Sequence, residues 1–168
     1  PNIARMQGYA AGEQPQDDSS IKLNTNENPY PPSPKVAEAL VAFATEQLRI
    51  YPQPDARTLR QAIADHHNLE IDHVVVTHAG DEALRLAVTT FVSPDGVVAS
   101  TEPTYSLYPV LAQIQGAQMF TQELTEDWSL PADFADNVNE AGARLTCVVN
   151  PHAPSGHFAE IDRLRKLA

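Results

Sequence analysis

The chain has 168 residues, an apolar fraction of 42% and a formal charge of −11 from eleven basic and twenty-two acidic residues. This length is enough for one folded domain with a core, and the acidic balance argues against nucleic acid and anionic membranes as partners. No apolar stretch has the length of a signal peptide or a membrane span, and the single cysteine, Cys147, lies in an apolar run, so we expect a cytoplasmic protein with a buried thiol.

The first 33 residues are polar and marked by prolines, which predicts an N-terminal arm rather than regular structure. Ser33 and Pro34 then supply an N-cap and a proline at the first helical position. Apolar residues continue at helical spacing to about Arg49, which predicts the first helix. A second helix is predicted from about Arg57 to Asn68.

Strands and helices are predicted to alternate over the rest of the chain. The β-branched run from Val74 to Thr77 predicts a first buried parallel strand. The helix that begins at Asp81 has one apolar face, formed by Leu84, Ala87, Val88 and Phe91. Further strands are predicted at 97–100, 118–121 and 145–149, with helices at about 107–114 and 133–141. This order predicts an α/β fold in three layers, with a mainly parallel sheet covered by helices on both faces.

Two candidate site segments follow from this order. At Ala79-Gly80-Asp81-Glu82 a strand turns through glycine into a helix, whose unpaired backbone N–H groups could cradle an anion if the two carboxylates point away. The alternative is that the acids only stabilise the helix start. Tyr105 follows the next strand and would lie at the same edge of the sheet, where its ring could stack on a planar cofactor or simply pack.

Other kinds of site find no support in the sequence. The seven glycines form neither a dinucleotide-binding pattern nor a P-loop, which disfavours a Rossmann dehydrogenase and a P-loop ATPase. The six histidines lack the spacing of metal ligands, so no metal site is expected. Ser155 lacks the flanking glycines of a hydrolase nucleophile and is interpreted as a turn residue.

Taken together, the motifs resemble those of histidinol-phosphate aminotransferases, which depend on pyridoxal 5′-phosphate (PLP). The segments that carry the resemblance occur in the family's order: Leu23-Asn24-Thr25-Asn26-Glu27-Asn28-Pro29-Tyr30, Tyr51-Pro52-Gln53-Pro54, Ala79-Gly80-Asp81-Glu82, Pro103-Thr104-Tyr105 and the turn from Asn150 to Gly156. The resemblance covers essentially the whole chain. It implies that residues 34–168 are part of the large, PLP-binding domain and that the small C-terminal domain is absent.

The resemblance also implies roles for individual residues. Backbone groups of Gly80 and Asp81 would hold the PLP phosphate, and Tyr105 would stack on the pyridine ring. Tyr51 would reach the phosphate of a neighbouring subunit's cofactor, as expected for a homodimer.

The N-terminal arm has an implied role as well. Asn26, Asn28 and Tyr30 would help to cover the substrate.

Two departures from the family are visible. The family usually has asparagine before its Pro-[ST]-Gly element, where it bonds the cofactor's ring hydroxyl, and here that position is Ala153. His152 could substitute, the alternative being an exposed turn histidine. The lysine that forms the Schiff base is missing, since Lys22, Lys35 and Lys166 occupy no matching position. No catalytic residue is therefore assigned, and the chain is expected to be an inactive, shortened portion.

The function implied is transamination between histidinol phosphate and 2-oxoglutarate in histidine biosynthesis. Two alternatives stay open: a fragment of a threonine-phosphate decarboxylase, and a non-catalytic module that keeps the phosphate cradle for binding or assembly. Without strands from the missing half of the fold, the segment Val74 to Thr77 is expected either to re-pair into a smaller sheet or to associate with another chain.

Overall fold

The computed structural model describes residues 2–6, 12–17 and 19–167, which fall into two units. One unit is residues 10–76, and the other is residues 77–168 with residues 1–9. The expected division into an arm of 33 residues and a domain from residue 34 stays a prediction. Within the described ranges, no helix is long and apolar enough to cross a membrane.

The first helix, α1 (Pro34–Ala42), begins as predicted but is shorter than predicted. The hydroxyl of Ser33 accepts the backbone N–H of Lys35 at 3.4 Å, and proline occupies the first turn. The chain becomes extended at Phe43, and a separate 3-10 turn covers Thr45–Arg49. No residue of α1 is buried, so no packed apolar face prolongs the helix, and packing is what normally does so.

The second helix, α2 (Arg57–His67), confirms the predicted range. It ends at Asn68, which has a left-handed φ of +54°, a conformation that asparagine tolerates better than most residues. The N–H of Leu69 then donates to the carbonyl of Ala64 at 2.9 Å. Ala64 is fully buried and marks the inner face of α2.

The prediction of a strand from Val74 to Thr77 is wrong, because the structure has no strand in this segment. Val74 is extended and buried, but its carbonyl accepts Nε of Arg60 at 2.8 Å and its N–H donates to the carbonyl of Ile71 in the 3-10 turn Ile71–His73. Both backbone groups are thus satisfied without a sheet. The expected re-pairing is not found in the described part of the chain, and association through this segment stays a prediction.

The second unit has the predicted alternation of strands and helices. Its elements are α3 (Ala79–Phe91), β1 (Val97–Glu102), α4 (Leu107–Gln115), β2 (Gln118–Glu123), α5 (Phe134–Glu140), β3 (Ala143–Cys147) and α6 (Ile161–Arg165). The strands form a parallel sheet in the order β2-β1-β3. Strand β3 lies two residues earlier than predicted, and its last pairing is that of Cys147 with Ser100.

The central strand β1 is buried on both faces, as expected for a parallel sheet between helices. Consecutive residues of a strand point to opposite faces, and here Val98 and Ala99 belong to two separate cores. Val98 packs with residues of α3 and α4, while Ala99 packs with Phe134 and Val138 of α5. The three-layer α/β arrangement is therefore confirmed.

One member of the predicted apolar face of α3 is wrong. Val88 is buried and Leu84 packs against the same core, but Phe91 is 61% exposed. The helix ends at Phe91, and the next residue, Val92, is 1% exposed and takes the inward position. Helical spacing places Phe91 on the face of Leu84 and Val88, but the core that these two residues join does not extend to the last residue of the helix.

Candidate functional site

The start of α3 is the first part of the candidate site. His78 is the N-cap residue, and its backbone N–H donates to Oε2 of Glu82 at 2.5 Å. This hydrogen bond is the main reason why the pKa of Glu82 lies below its usual value. The carboxylate of Glu82 is thus held by the backbone one turn before it.

Space for a ligand exists beside this helix start. A Cβ placed on Gly80 would meet no heavy atom within 4 Å. The first N–H groups of an α-helix have no partner within the helix and lie at the positive end of its dipole, which favours anions. Ala79 enters the helix with a left-handed φ of +61°, which is strained for a residue that has a Cβ.

Tyr105 lies against this helix start, as the shared sheet edge predicted. Its hydroxyl donates to Oδ1 of Asp81 at 3.1 Å, which turns the carboxylate of Asp81 towards the loop after β1. Its ring meets that of Tyr108 edge to face, with centroids 5.7 Å apart. Each acid of the predicted cradle therefore has a hydrogen-bonding partner of its own.

The turn after β3 holds His152, which is buried, so the alternative of an exposed turn histidine is wrong. Its Nδ1 lies 2.8 Å from the hydroxyl of Ser155, and its Nε2 lies 3.1 Å from the carbonyl oxygen of Pro103. The ring stacks on Trp128 with centroids 5.6 Å apart. His152 thus ties the turn after β3 to the loop after β1.

These contacts join three segments at the carboxyl end of the sheet. Tyr105 connects the β1 loop to α3, and Pro103 connects the same loop to His152. Open parallel sheets place ligands at this end of their strands. The structure therefore brings together Gly80, Asp81, Tyr105 and the turn that contains His152 along one connected edge.

The other predicted site residues belong to the unit of residues 10–76. Tyr51 is 97% exposed and Tyr30 is 77% exposed. The side chain of Asn28 accepts the N–H of Tyr30 at 2.9 Å, and Asn26 has a left-handed φ of +53°. Their approach to a cofactor or substrate stays a prediction.

Sequence reasoning did not identify the contribution of Trp128. Besides stacking on His152, it lines a groove of about 290 Å³ at the ends of β1 and β2, together with Pro103 and three glutamates. The three glutamates are Glu102, Glu123 and Glu126. The available signal was weak: the only tryptophan of the chain sits in a predicted loop, where a large aromatic needs something to pack against.

Metal binding finds no support in the described ranges, where no group of three or more histidine, cysteine, aspartate or glutamate side chains is arranged to hold an ion.

The sequence matches the family model of aminotransferase class I and II over residues 18–168. It is 43% identical over 168 residues to histidinol-phosphate aminotransferase from Geotalea daltonii, covering 99% of this chain and 47% of that protein. It is 40% identical over 167 residues to the enzyme of the same name from Clostridium botulinum, covering 99% of this chain and 46% of that protein. The chain thus spans about half the length of the curated relatives it matches.

Among solved structures, the fold is similar to that of histidinol-phosphate aminotransferase from Sinorhizobium meliloti, which was crystallised with pyridoxal-5′-phosphate. The TM-score is 0.70 at 22% identity, over 77% of this chain and 35% of that chain. At this identity the likeness concerns the fold alone.

Proposed function

The chain belongs to the class I and II aminotransferase family, and from that premise we propose that its protein carries out PLP-dependent transamination between histidinol phosphate and 2-oxoglutarate. The names of relatives at 40% and 43% identity support this choice of substrate. Histidine biosynthesis in the cytoplasm is the setting that follows from such a reaction. Because the chain spans about half of each relative, its activity, substrates and partners are all proposed for the whole protein.

One observation carries the proposal: the hydroxyl of Tyr105 bonds Asp81 in the first turn of α3. The contact places an aromatic ring next to a helix start that has open space at Gly80. An anion cradle beside a flat ring suits a phosphorylated heteroaromatic cofactor. The residues present therefore fit PLP, with backbone groups of Gly80 and Asp81 for its phosphate and Tyr105 for its ring.

When bound, PLP supplies an electron sink for negative charge on the substrate's α-carbon. The residues of this chain would bind the cofactor and orient it. The dipole of α3 favours the phosphate, and the bond from Tyr105 directs the carboxylate of Asp81 towards the β1 loop.

His152 is proposed as a further residue of the cofactor site. In this structure its two ring nitrogens are within hydrogen-bond distance of the Ser155 hydroxyl and the Pro103 carbonyl oxygen. A hydrogen bond to the cofactor's ring hydroxyl would replace one of these two hydrogen bonds. Whichever bond remained would still fix the ring, which Trp128 supports by stacking.

Partner and substrate contacts are proposed for the unit of residues 10–76. Tyr51 would reach the cofactor phosphate of a second copy, which implies a homodimer, and its 97% exposure leaves its hydroxyl accessible. Asn26, Asn28 and Tyr30 would cover the substrate. All three are exposed, and the bond from the N–H of Tyr30 to Asn28 gives this segment a defined turn.

The chain by itself is proposed to be inactive. Its three lysines are Lys22, Lys35 and Lys166, and none of them occupies a position that matches the family's Schiff-base lysine. Transamination needs an amine that attaches the cofactor and moves a proton. That amine would come from another part of the protein.

Equilibrium dialysis against PLP tests the cofactor site on this chain. Gly80→Val fills the open space beside the helix start and should weaken PLP binding about tenfold, which corresponds to 1.4 kcal/mol. The matched control is Ala83→Val, on an exposed position of the same helix, with unchanged binding expected. PLP should also bind more tightly than pyridoxal, which lacks the phosphate. Equal binding of PLP by the wild type and Gly80→Val would contradict the cradle.

The substrate is tested on the whole protein. Glutamate formation from histidinol phosphate and 2-oxoglutarate is the expected result. Release of CO₂ from threonine phosphate would instead favour a decarboxylase, and the absence of both reactions from a PLP-loaded protein would favour a non-catalytic module.

A further inference from the structure

The turn after β3 contains a serine and a histidine in the arrangement of a catalytic pair. Nδ1 of His152 lies 2.8 Å from Oγ of Ser155, while Nε2 lies 3.1 Å from the carbonyl oxygen of Pro103. A carbonyl can only accept, so Nε2 of the neutral ring carries the proton. Nδ1 is then an acceptor, and the hydroxyl of Ser155 is the donor. A serine that donates to a neutral histidine is the starting point of nucleophilic catalysis.

The histidine is held as a catalytic base needs to be. It is 5% exposed, so little water competes for Nδ1. The ring of Trp128 stacks on it at an interplanar angle of 27°. The carbonyl of Pro103 takes the place of the third group that orients the base in serine hydrolases and fixes its tautomer.

The serine is accessible from solvent. Ser155 is exposed, and a Cβ placed on its neighbour Gly156 would meet no heavy atom within 4 Å. The backbone N–H of His157 donates to Oγ of Ser155 at 3.2 Å, which holds the oxygen in place. A small electrophile therefore has room to approach Oγ.

We propose that Ser155 is a nucleophile towards small activated carboxylic esters, with His152 as its general base. Oγ of Ser155 bonds to the acyl carbon, the ester C–O bond breaks, and the hydroxyl proton passes to Nδ1 and then to the departing oxygen. Water then attacks the acyl-serine, and His152 takes a proton from that water and returns it to Oγ. The products are the free acid and the original hydroxyl. This activity rests neither on PLP nor on transamination.

The sequence pattern gave no hint of this pair, since the flanking residues of Ser155 differ from those of a hydrolase elbow. That motif describes a strand followed by a helix, whereas here a turn places the base three positions before the serine in the sequence. The competing explanation is that the bond only stabilises the turn.

The experiment uses p-nitrophenyl acetate, with nitrophenolate release followed by absorbance and the acetylated residue identified by peptide mass spectrometry. We expect acetyl on Ser155, formed at least tenfold faster in the folded chain than in the same chain unfolded in urea. Ser155→Ala should abolish this adduct, and His152→Gln should slow it on the order of 100-fold. Equal rates at Ser155 in the folded and unfolded chain would overturn the proposal, and so would acetylation that spares Ser155.

A second serine–histidine pair provides the matched control. Oγ of Ser129 lies 3.4 Å from Nε2 of His157 but donates to the carboxylate of Asp127 at 3.1 Å, so it is not activated. Ser129→Ala should leave acetylation of Ser155 unchanged. If His152→Gln does not fold, the comparison of folded and unfolded wild-type chain decides the question alone.

Discussion

The hydroxyl of Tyr105 donates to Oδ1 of Asp81 at 3.1 Å and so joins the loop after β1 to the first turn of α3. Tyr105→Phe keeps the ring and removes this bond. We expect a loss of about 0.5–1.5 kcal/mol in the free energy of unfolding, measured in urea. Tyr51→Phe removes an equivalent hydroxyl from a side chain that is 97% exposed and should change nothing. An unchanged stability of Tyr105→Phe would show that the loop is held by other contacts.

Ala79 has a left-handed φ of +61° at the entrance of α3, where glycine would be less strained. The left-handed conformation costs about 1–2 kcal/mol for a residue with a Cβ. Replacing Ala79 by glycine removes this cost, but the greater conformational freedom of glycine in the unfolded state cancels part of the benefit. Ala79→Gly should therefore raise stability by about 0.5–1 kcal/mol. Ala83→Gly, inside the same helix, should lower it by about 1 kcal/mol. Urea denaturation of both variants gives the sign of each change in stability. A change of the same sign in both variants would contradict the strain at Ala79.

The side chain of Arg60 supplies hydrogen bonds to the backbone of the segment that follows α2, which a neighbouring strand would otherwise supply. Its guanidinium donates to the carbonyls of Val74 at 2.8 Å and Ile71 at 3.0 Å, and its side chain is only 19% exposed. Arg60→Met should cost about 1.5–3 kcal/mol, because two carbonyls lose a charged donor. Arg60→Lys should not restore the loss, since lysine cannot donate in the same fork.

The control for this change is Asp72→Asn. The carboxylate of Asp72 lies 3.5 Å from Arg60 but is 93% exposed, and such surface pairs contribute little. Hydrogen exchange of the Val74 and Leu69 amides reports on this segment directly. Faster exchange is expected in Arg60→Met and wild-type exchange in Asp72→Asn, and the reverse order would refute the role of Arg60.

Burial raises the pKa of the Cys147 thiol. Burial is also the larger cause of the raised pKa of the Tyr108 hydroxyl, and the charge of the nearby Cys147 is the smaller cause. The folded state thus holds these protons more tightly than the unfolded state, whose values are near 9.0 for cysteine and 10.0 for tyrosine. The stabilisation is complete below these values and is lost as the pH rises through the folded pKa of each group. Urea midpoints should fall from about pH 9 upwards.

Cys147→Ala separates the two contributions. This variant should be less stable at every pH, because a buried group is removed, but its stability should decline less steeply between pH 9 and 10. The chain has a single cysteine, so the rate of thiol modification in the native protein reports on the same burial. A wild-type stability that stays level to high pH would contradict the raised values.

Sequence patterns identified the strands and helices whose apolar residues pack against one another. The strand at Val97–Glu102 and the helices around it were predicted correctly, because their apolar spacing matches two cores that they form with each other. Val74 to Thr77 has the same β-branched composition and fails. A strand needs a partner for its backbone, and composition does not reveal that Arg60 supplies the hydrogen bond instead.

The candidate site was predictable in its placement but not in its contacts. Tyr105 follows β1 at the predicted edge of the sheet, and Asp81 lies beside it although the strand predicted before α3 does not form. The environment of His152 was not predictable, because it depends on Trp128 and Pro103, which come from loops distant in sequence. Loop conformations carry no periodic pattern from which such contacts could be inferred.

All three strands of the sheet come from one continuous stretch, residues 97–147, with β1 at the centre. During synthesis on the ribosome the central strand therefore emerges first, and its two neighbours follow in turn, one for each of its edges. Chains begin to fold from the N-terminal side while translation proceeds. These three strands can pair before the turn that carries His152 and Ser155 has emerged, so this turn settles onto strands that are already paired.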